Sequence, residues 1–215
     1  MQFTPALLPS LIQAIAETIE KNAEEVTALD QAIGDGDHVI NLQRGIQALR
    51  PQSAELGQLD WAAAWQKIGM TLMSTMGGAS GSLYGTLFIT MSKAGRERAL
   101  KLPAFAEVFS QGVTAVKQRG KADAGEKTML DVLIPVAESL KQAAADSAAL
   151  PEALKKITEA AIAGMESTRD MVATKGRASF LGERSRGHID AGAKTAQLII
   201  CTIADVLAGH SATPS

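Results

Sequence analysis

Aromatic side chains are scarce in this chain, at 4% of 215 residues, so its core must be built from Ala, Leu, Ile, Val and Met. That mix favours helix, because β-branched and aromatic residues are the ones that suit strands. The single cysteine, Cys201, excludes an intrachain disulfide, and its apolar surroundings at 198–203 mark it as a small buried hydrophobe. There is no excess of positive charge. A formal net charge of −2 gives no electrostatic footprint for nucleic acid, and no basic run marks an anionic membrane surface. No uninterrupted apolar run approaches the roughly 20 residues that span a bilayer. Met1–Pro5 lacks the basic and apolar regions of a leader, so a cytoplasmic protein is expected. Strict alternation, fixed-period repeats and low-complexity linkers are absent as well, which leaves residues 1–215 as one domain.

What the chain does have is helical signals. Thr4-Pro5 offers a cap and a first-turn proline, and Leu7, Leu8, Leu11, Ile12, Ile15 and Ile19 follow at helical spacing. Asn22 with Glu25 has the form of a capping box for a second, short helix ending near Gly34. Further helices are predicted from Asp37 to the break at Pro51, Asp60 to Met76, Ser80 to Leu100 and Pro103 to Gly120. Three more run from Thr128 to Ala145, Pro151 to Ala173 and Ile189 to Leu207. The fold class is all-α, with eight or nine helices.

Four of the junctions carry chemistry. In Asp30-Gln31-Ala32-Ile33-Gly34-Asp35-Gly36-Asp37-His38, three carboxylates fall within eight residues. Carboxylates that close repel one another unless a cation lies between them, and hard divalent ions such as Mg²⁺ take oxygen ligands. The bland reading is a helix end, a turn and a cap. An EF-hand is excluded, since Val39 and Ile46 occupy the positions where its loop needs oxygen donors. Zinc is disfavoured by a neighbourhood with one histidine and no cysteine. His38 itself reads as a general base, a phosphocarrier or a phosphate ligand.

Gly77-Gly78-Ala79-Ser80-Gly81 leads small residues into a helix, where free N–H groups at the positive dipole end suit a phosphate. It serves equally as a close-packed junction. Arg119-Gly120-Lys121 through Glu126-Lys127-Thr128 nearly matches a P-loop, but Glu126 breaks the spacing and no strand precedes it, so a Walker fold is rejected. Finally, 173–192 holds Lys175, Arg177, Arg184 and Arg186 and opens onto the last helix at Asp190-Ala191-Gly192. Guanidinium forks suit phosphate oxygens, although any one of these arginines alone reads as solvated surface. Met129, Leu130, Leu133 and Val136 have core spacing and could also wall an adenine ring. Trp61 and Trp65 read as packing. If these junctions meet at one end of a bundle, they form a Mg²⁺–nucleotide site without a P-loop or a Rossmann sheet.

Together these motifs, with Lys175-Gly176-Arg177-Ala178-Ser179-Phe180-Leu181-Gly182-Glu183-Arg184-Ser185 the longest, resemble the nucleotide-binding L-type subunit of dihydroxyacetone kinases, and most of all the stand-alone subunit of the bacterial phosphotransferase-system-dependent enzyme. The resemblance implies a barrel-like bundle of eight antiparallel helices with the nucleotide in the loops at one end. It implies that Asp30, Asp35 and Asp37 hold two Mg²⁺ ions. It also implies that His38, Asn41, Gly78, Ala79, Ser80, Gly120, Met129, Arg177, Asp190 and Gly192 line an ADP or ATP, with His38 beside the reacting phosphate. The implied partners are a dihydroxyacetone-binding subunit and a phosphohistidine-bearing phosphotransferase-system subunit, and a homodimer is compatible with it. Alternatives are the nucleotide subunit of an ATP-dependent kinase for dihydroxyacetone or another small ketose, and a non-catalytic helical module. The intact aspartates and Arg177 argue against the latter.

Overall fold

The computed structural model describes residues 4–211; Met1–Phe3 and the polar tail 212–215 lie outside the described residues. Ten α-helices follow one another, and no strand occurs among the described residues. They are α1 (Leu8–Lys21), α2 (Ala23–Ile33), α3 (His38–Leu49), α4 (Ser53–Leu56), α5 (Trp61–Thr75), α6 (Gly78–Ala94), α7 (Leu102–Gly120), α8 (Leu130–Ala145), α9 (Leu150–Ser167) and α10 (Ala191–Ser211). Short 3₁₀ turns flank them at Pro5–Leu7, Arg50–Gln52, Thr168–Asp170 and Arg177–Ser185.

The eight long helices α1, α3, α5, α6, α7, α8, α9 and α10 each pack on the next, and α10 returns to α1, closing a ring. Successive members run in opposite directions. Gly69 of α5 faces Gly85 of α6, Arg119 Nε of α7 donates to Ser82 Oγ of α6 at 2.8 Å, and Arg50 Nη2 reaches Gln13 Oε1 of α1 at 2.8 Å. Helix α2 continues the line of α1 past a break at Asn22. Accordingly α10 meets both, through Thr202–Thr18 at 3.0 Å and Lys194–Glu25 at 2.9 Å.

The interior is aliphatic, as the shortage of aromatics requires. Val26, Leu56, Val108, Val116 and Val132 are fully buried, and truncating such a side chain costs about 1–5 kcal/mol depending on its size. Small residues let the helices approach closely. A Cβ on Gly81 would lie 2.1 Å from the Met76 carbonyl oxygen, and one on Gly164 would lie 2.1 Å from that of Asp131. Pro135 inside α8 removes the intrahelical donor for that Asp131 carbonyl, and Gly164 lies over it. Helix α10 has the length and mean hydropathy of a membrane span over Ala191–His210. It packs between α9 and α1 and buries Ala193, Thr195 and Ala196.

Several sequence expectations shift. Asn22 does not cap α2 with its side chain; its Nδ2 donates back to Thr18 O at 2.7 Å, because the chain never leaves helical geometry enough to expose free N–H groups there. Helix α6 stops at Gly95, not near Leu100, and α9 stops at Ser167, not Ala173. The basic loop contains a 3₁₀ segment that sequence periodicity does not announce, kinked where Gly182 adopts φ 53°. Trp61 and Trp65 stack on each other at 5.3 Å, as packing residues.

Candidate functional site

Because neighbouring helices alternate in direction, every second connection lies at the same end of the ring. That end collects the α2–α3 turn, the α5–α6 turn, the α7–α8 loop and the long α9–α10 segment, which are the four chemistry-bearing junctions.

Asp30 comes from the last turn of α2, while Asp35 and Asp37 come from the turn before α3. One carboxylate oxygen from each lies within 4.8 Å of the others. Two features of the backbone produce this convergence. Gly36 takes φ 77°, a conformation that favours glycine. Gly34 leaves room for Asp30, whose Oδ1 would lie 2.2 Å from a Cβ at position 34. Asp30 Oδ2 accepts the His38 amide at 3.0 Å, tying the end of α2 to the start of α3. Asp37 precedes α3 but makes no side-chain cap, so its carboxylate is free of that duty.

His38 bridges two walls of the site. Thr195 Oγ1 donates to Gly192 O at 3.1 Å and so accepts from His38 Nε2 at 2.8 Å. This leaves Nδ1 to accept from Ser80 Oγ at 3.3 Å. Burial lowers the pKa of His38, and the three aspartates oppose that shift without reversing it. The histidine is therefore a strut with both nitrogens engaged. Tyr84 lies against the same Thr195. Its buried hydroxyl has no well-formed hydrogen bond, and burial raises its pKa further above the ordinary range.

Gly77, Gly78, Ala79 and Ser80 open the 17-residue α6, whose first N–H groups carry no side-chain cap, in contrast to the Asp60 cap on α5. Asn41 abuts this turn, since a Cβ on Gly77 would lie 2.3 Å from its Oδ1, which accepts from Arg44 at 3.2 Å. Arg177 reaches from the 3₁₀ segment to Asp35, with Nε 2.7 Å from Oδ2. On the opposite wall, Asp190 caps α10 by accepting the Ala193 amide at 2.7 Å. Burial pushes its carboxyl up to about 6, against the pull of the Ala193 amide and Lys127. A Cβ on Gly192 would lie 3.7 Å from the Met129 amide nitrogen, so this wall includes buried Met129. Gly120 lies further round the rim, beside Leu83.

Thr195 and Asp131 escaped the sequence reading, and Lys127 entered it only as part of the near P-loop run. Thr195 is the buried hydroxyl that orients His38, hidden in an apolar helix. Asp131 is buried and accepts the amides of Gly125 at 2.5 Å and Thr128 at 2.7 Å. Lys127 takes φ 61°, a left-handed conformation that costs a non-glycine residue about 1 kcal/mol. Its ammonium is buried against the carbonyls of Thr168 and His188, so both of these bonds are spent on backbone. The only forewarning of Asp131 is one charge inside the run Met129-Leu130-Asp131-Val132-Leu133.

The donor set suits a hard cation. Three carboxylates converge with no thiolate among them, and both nitrogens of the one histidine are occupied. The uncapped start of α6 offers amides to an anion at the same end.

The DAK2 domain family matches residues 32–205. The chain belongs to that family. Among curated DAK2 relatives, it is 41% identical over 183 residues to the PEP-dependent dihydroxyacetone kinase ADP-binding subunit DhaL of Escherichia coli, covering 85% of this chain and 87% of that protein. Human triokinase/FMN cyclase is 32% identical over 203 residues, 92% of this chain but 34% of the human protein. Among solved structures, the dihydroxyacetone kinase of C. freundii in complex with AMP-PNP and Mg²⁺ aligns with a TM-score of 0.72 and 26% identity, over 95% of this chain and 34% of that one. The DAK2 domain thus occurs both as nearly a whole subunit and as about a third of longer kinases.

Proposed function

We propose that this DAK2 chain is the ADP-binding subunit of a dihydroxyacetone kinase, with residues at the α2–α3 end of the ring holding a Mg²⁺–nucleotide. The observation that carries the reading is the convergence of Asp30, Asp35 and Asp37 within 4.8 Å at the end where α6 begins uncapped. The similarity to DhaL subunits over most of both chains supports it. Bound there, ADP with two Mg²⁺ ions would supply the terminal phosphate oxygen that accepts a phosphoryl group from a phosphohistidine of a phosphotransferase-system subunit, for delivery to dihydroxyacetone on a separate subunit.

The chain's own residues do the rest. Asp30, Asp35 and Asp37 supply anionic oxygens for the ions. The α6 amides and Ser80 face the phosphates, and Arg177, held in an exposed ion pair with Asp35, can be traded to a phosphoryl oxygen at little cost. Asn41, Gly78, Ala79, Gly120, Met129, Asp190 and Gly192 line the nucleotide. His38, held from both sides by Thr195 and Ser80, positions Ser80 rather than carrying the phosphoryl group.

The test is to denature the purified protein and identify what it releases. Near-stoichiometric ADP surviving dialysis is expected; a chain that binds no ADP even with Mg²⁺ would sink the reading. The similarity to single-chain kinases favours a second reading, a subunit that exchanges ADP for free ATP. Rapid exchange of bound ADP with labelled ATP selects that reading, and retention selects the first.

A further inference from the structure

We propose that Lys127 is a positioning residue of this end of the ring. Its buried ammonium fastens the α7–α8 loop to the α9–α10 segment and thereby sets where Met129, Asp190 and Gly192 stand. The inference rests on the nucleotide reading above, in which those three residues line the ligand.

Lys127 is 1% exposed, and its Nζ donates to the carbonyls of Thr168 and His188, 41 and 61 residues further on. Both acceptors belong to the wall that carries Asp190. The Asp190 amide donates to Thr168 Oγ1 at 3.1 Å, and that hydroxyl donates in turn to Met165 O at 2.7 Å. On its own side, Lys127 is flanked by the amides of Gly125 and Thr128, both held by Asp131, and Met129 follows at the start of α8. Outside the knot, Glu126 holds the same two segments together through Thr174 Oγ1 at 2.9 Å and Lys175 at 3.5 Å. A left-handed residue here would ordinarily be glycine or asparagine. What lysine adds is an ammonium that meets two carbonyls across the gap between loops, that of His188 and that of Thr168, which also accepts the Met171 amide at 3.3 Å. Two walls of the site, distant in sequence, are thus registered by the buried Lys127 ammonium within and by Glu126 outside.

The experiment measures ADP affinity in saturating Mg²⁺, by titration calorimetry on nucleotide-stripped protein. Lys127→Met keeps the stem and removes the donors, and at least a tenfold loss of affinity is expected. Lys127→Arg, which keeps the charge and several N–H donors, is expected to stay within about threefold of the wild type. Leu56→Ala, a core truncation at the far end of the ring, controls for stability. It should lower Tm as much as Lys127→Met while leaving affinity unchanged. Thr168→Val, which removes the hydroxyl that accepts the Asp190 amide and donates to Met165 O, should weaken ADP in the same direction, and it answers the question should Lys127→Met fail to fold. Wild-type affinity in Lys127→Met or in Thr168→Val, or an equal loss in Leu56→Ala, overturns the proposal. Failure of the wild type to bind ADP would instead overturn the nucleotide reading, and this role with it.

Discussion

At the scale of single residues, Gly34 shows how a position can be fixed by its neighbour. A Cβ there would fall 2.2 Å from Asp30 Oδ1. Gly34→Ala is therefore expected to displace the Asp30 carboxylate and abolish Mg²⁺-dependent ADP retention. Circular dichroism should show unchanged helicity, and retained ADP would refute the account. Asp190 offers a test with pH. Its folded pKa of about 6 lies above the ordinary aspartate value of 3.8, so the folded state binds the proton more tightly. The resulting stabilisation is complete below about pH 4 and is lost as pH rises through 6, a change on the order of 2–3 kcal/mol. The urea-derived stability of the wild type minus that of Asp190→Asn is expected to fall across that window, and a flat difference would show that Asp190 is not so perturbed. Asp30, Asp35 and Asp37 were legible in the sequence because they are local, packed into eight residues. Thr195 and Lys127 were not, since their partners lie 157 and up to 61 positions away, and no local pattern encodes that distance.

At the scale of elements, long amphipathic helices announced themselves and their starts were close, because first-turn prolines and Asp caps act locally. The stretch 168–190 did not. Its two 3₁₀ segments are held by tertiary bonds such as Gly187 N to Arg169 O at 2.7 Å, which no periodicity registers. That stretch carries Arg177, exposed and paired to exposed Asp35. Pairs of this kind contribute about 0–1 kcal/mol. Arg177→Gln should accordingly leave Tm within a few degrees of the wild type while slowing phosphoryl transfer at least tenfold. A large fall in Tm with undiminished transfer would assign Arg177 to the fold instead.

At the scale of the whole molecule, a ligand that binds only the folded ring must stabilise all of it. ADP with Mg²⁺ at a hundred times its Kd is expected to add about 2.7 kcal/mol, seen as a rise in Tm. The double variant Asp35→Ala, Asp37→Ala should melt as one unit and show no such rise. A rise undiminished in the double variant would place the nucleotide elsewhere. The closure of the ring has another consequence. An even number of alternating helices brings the start of α1 and the end of α10 to the same face, opposite the aspartates. A further domain can leave from either side of this unit without passing the ligand mouth. One architecture can thus serve unchanged as a separate subunit or as a module spliced into a longer polypeptide.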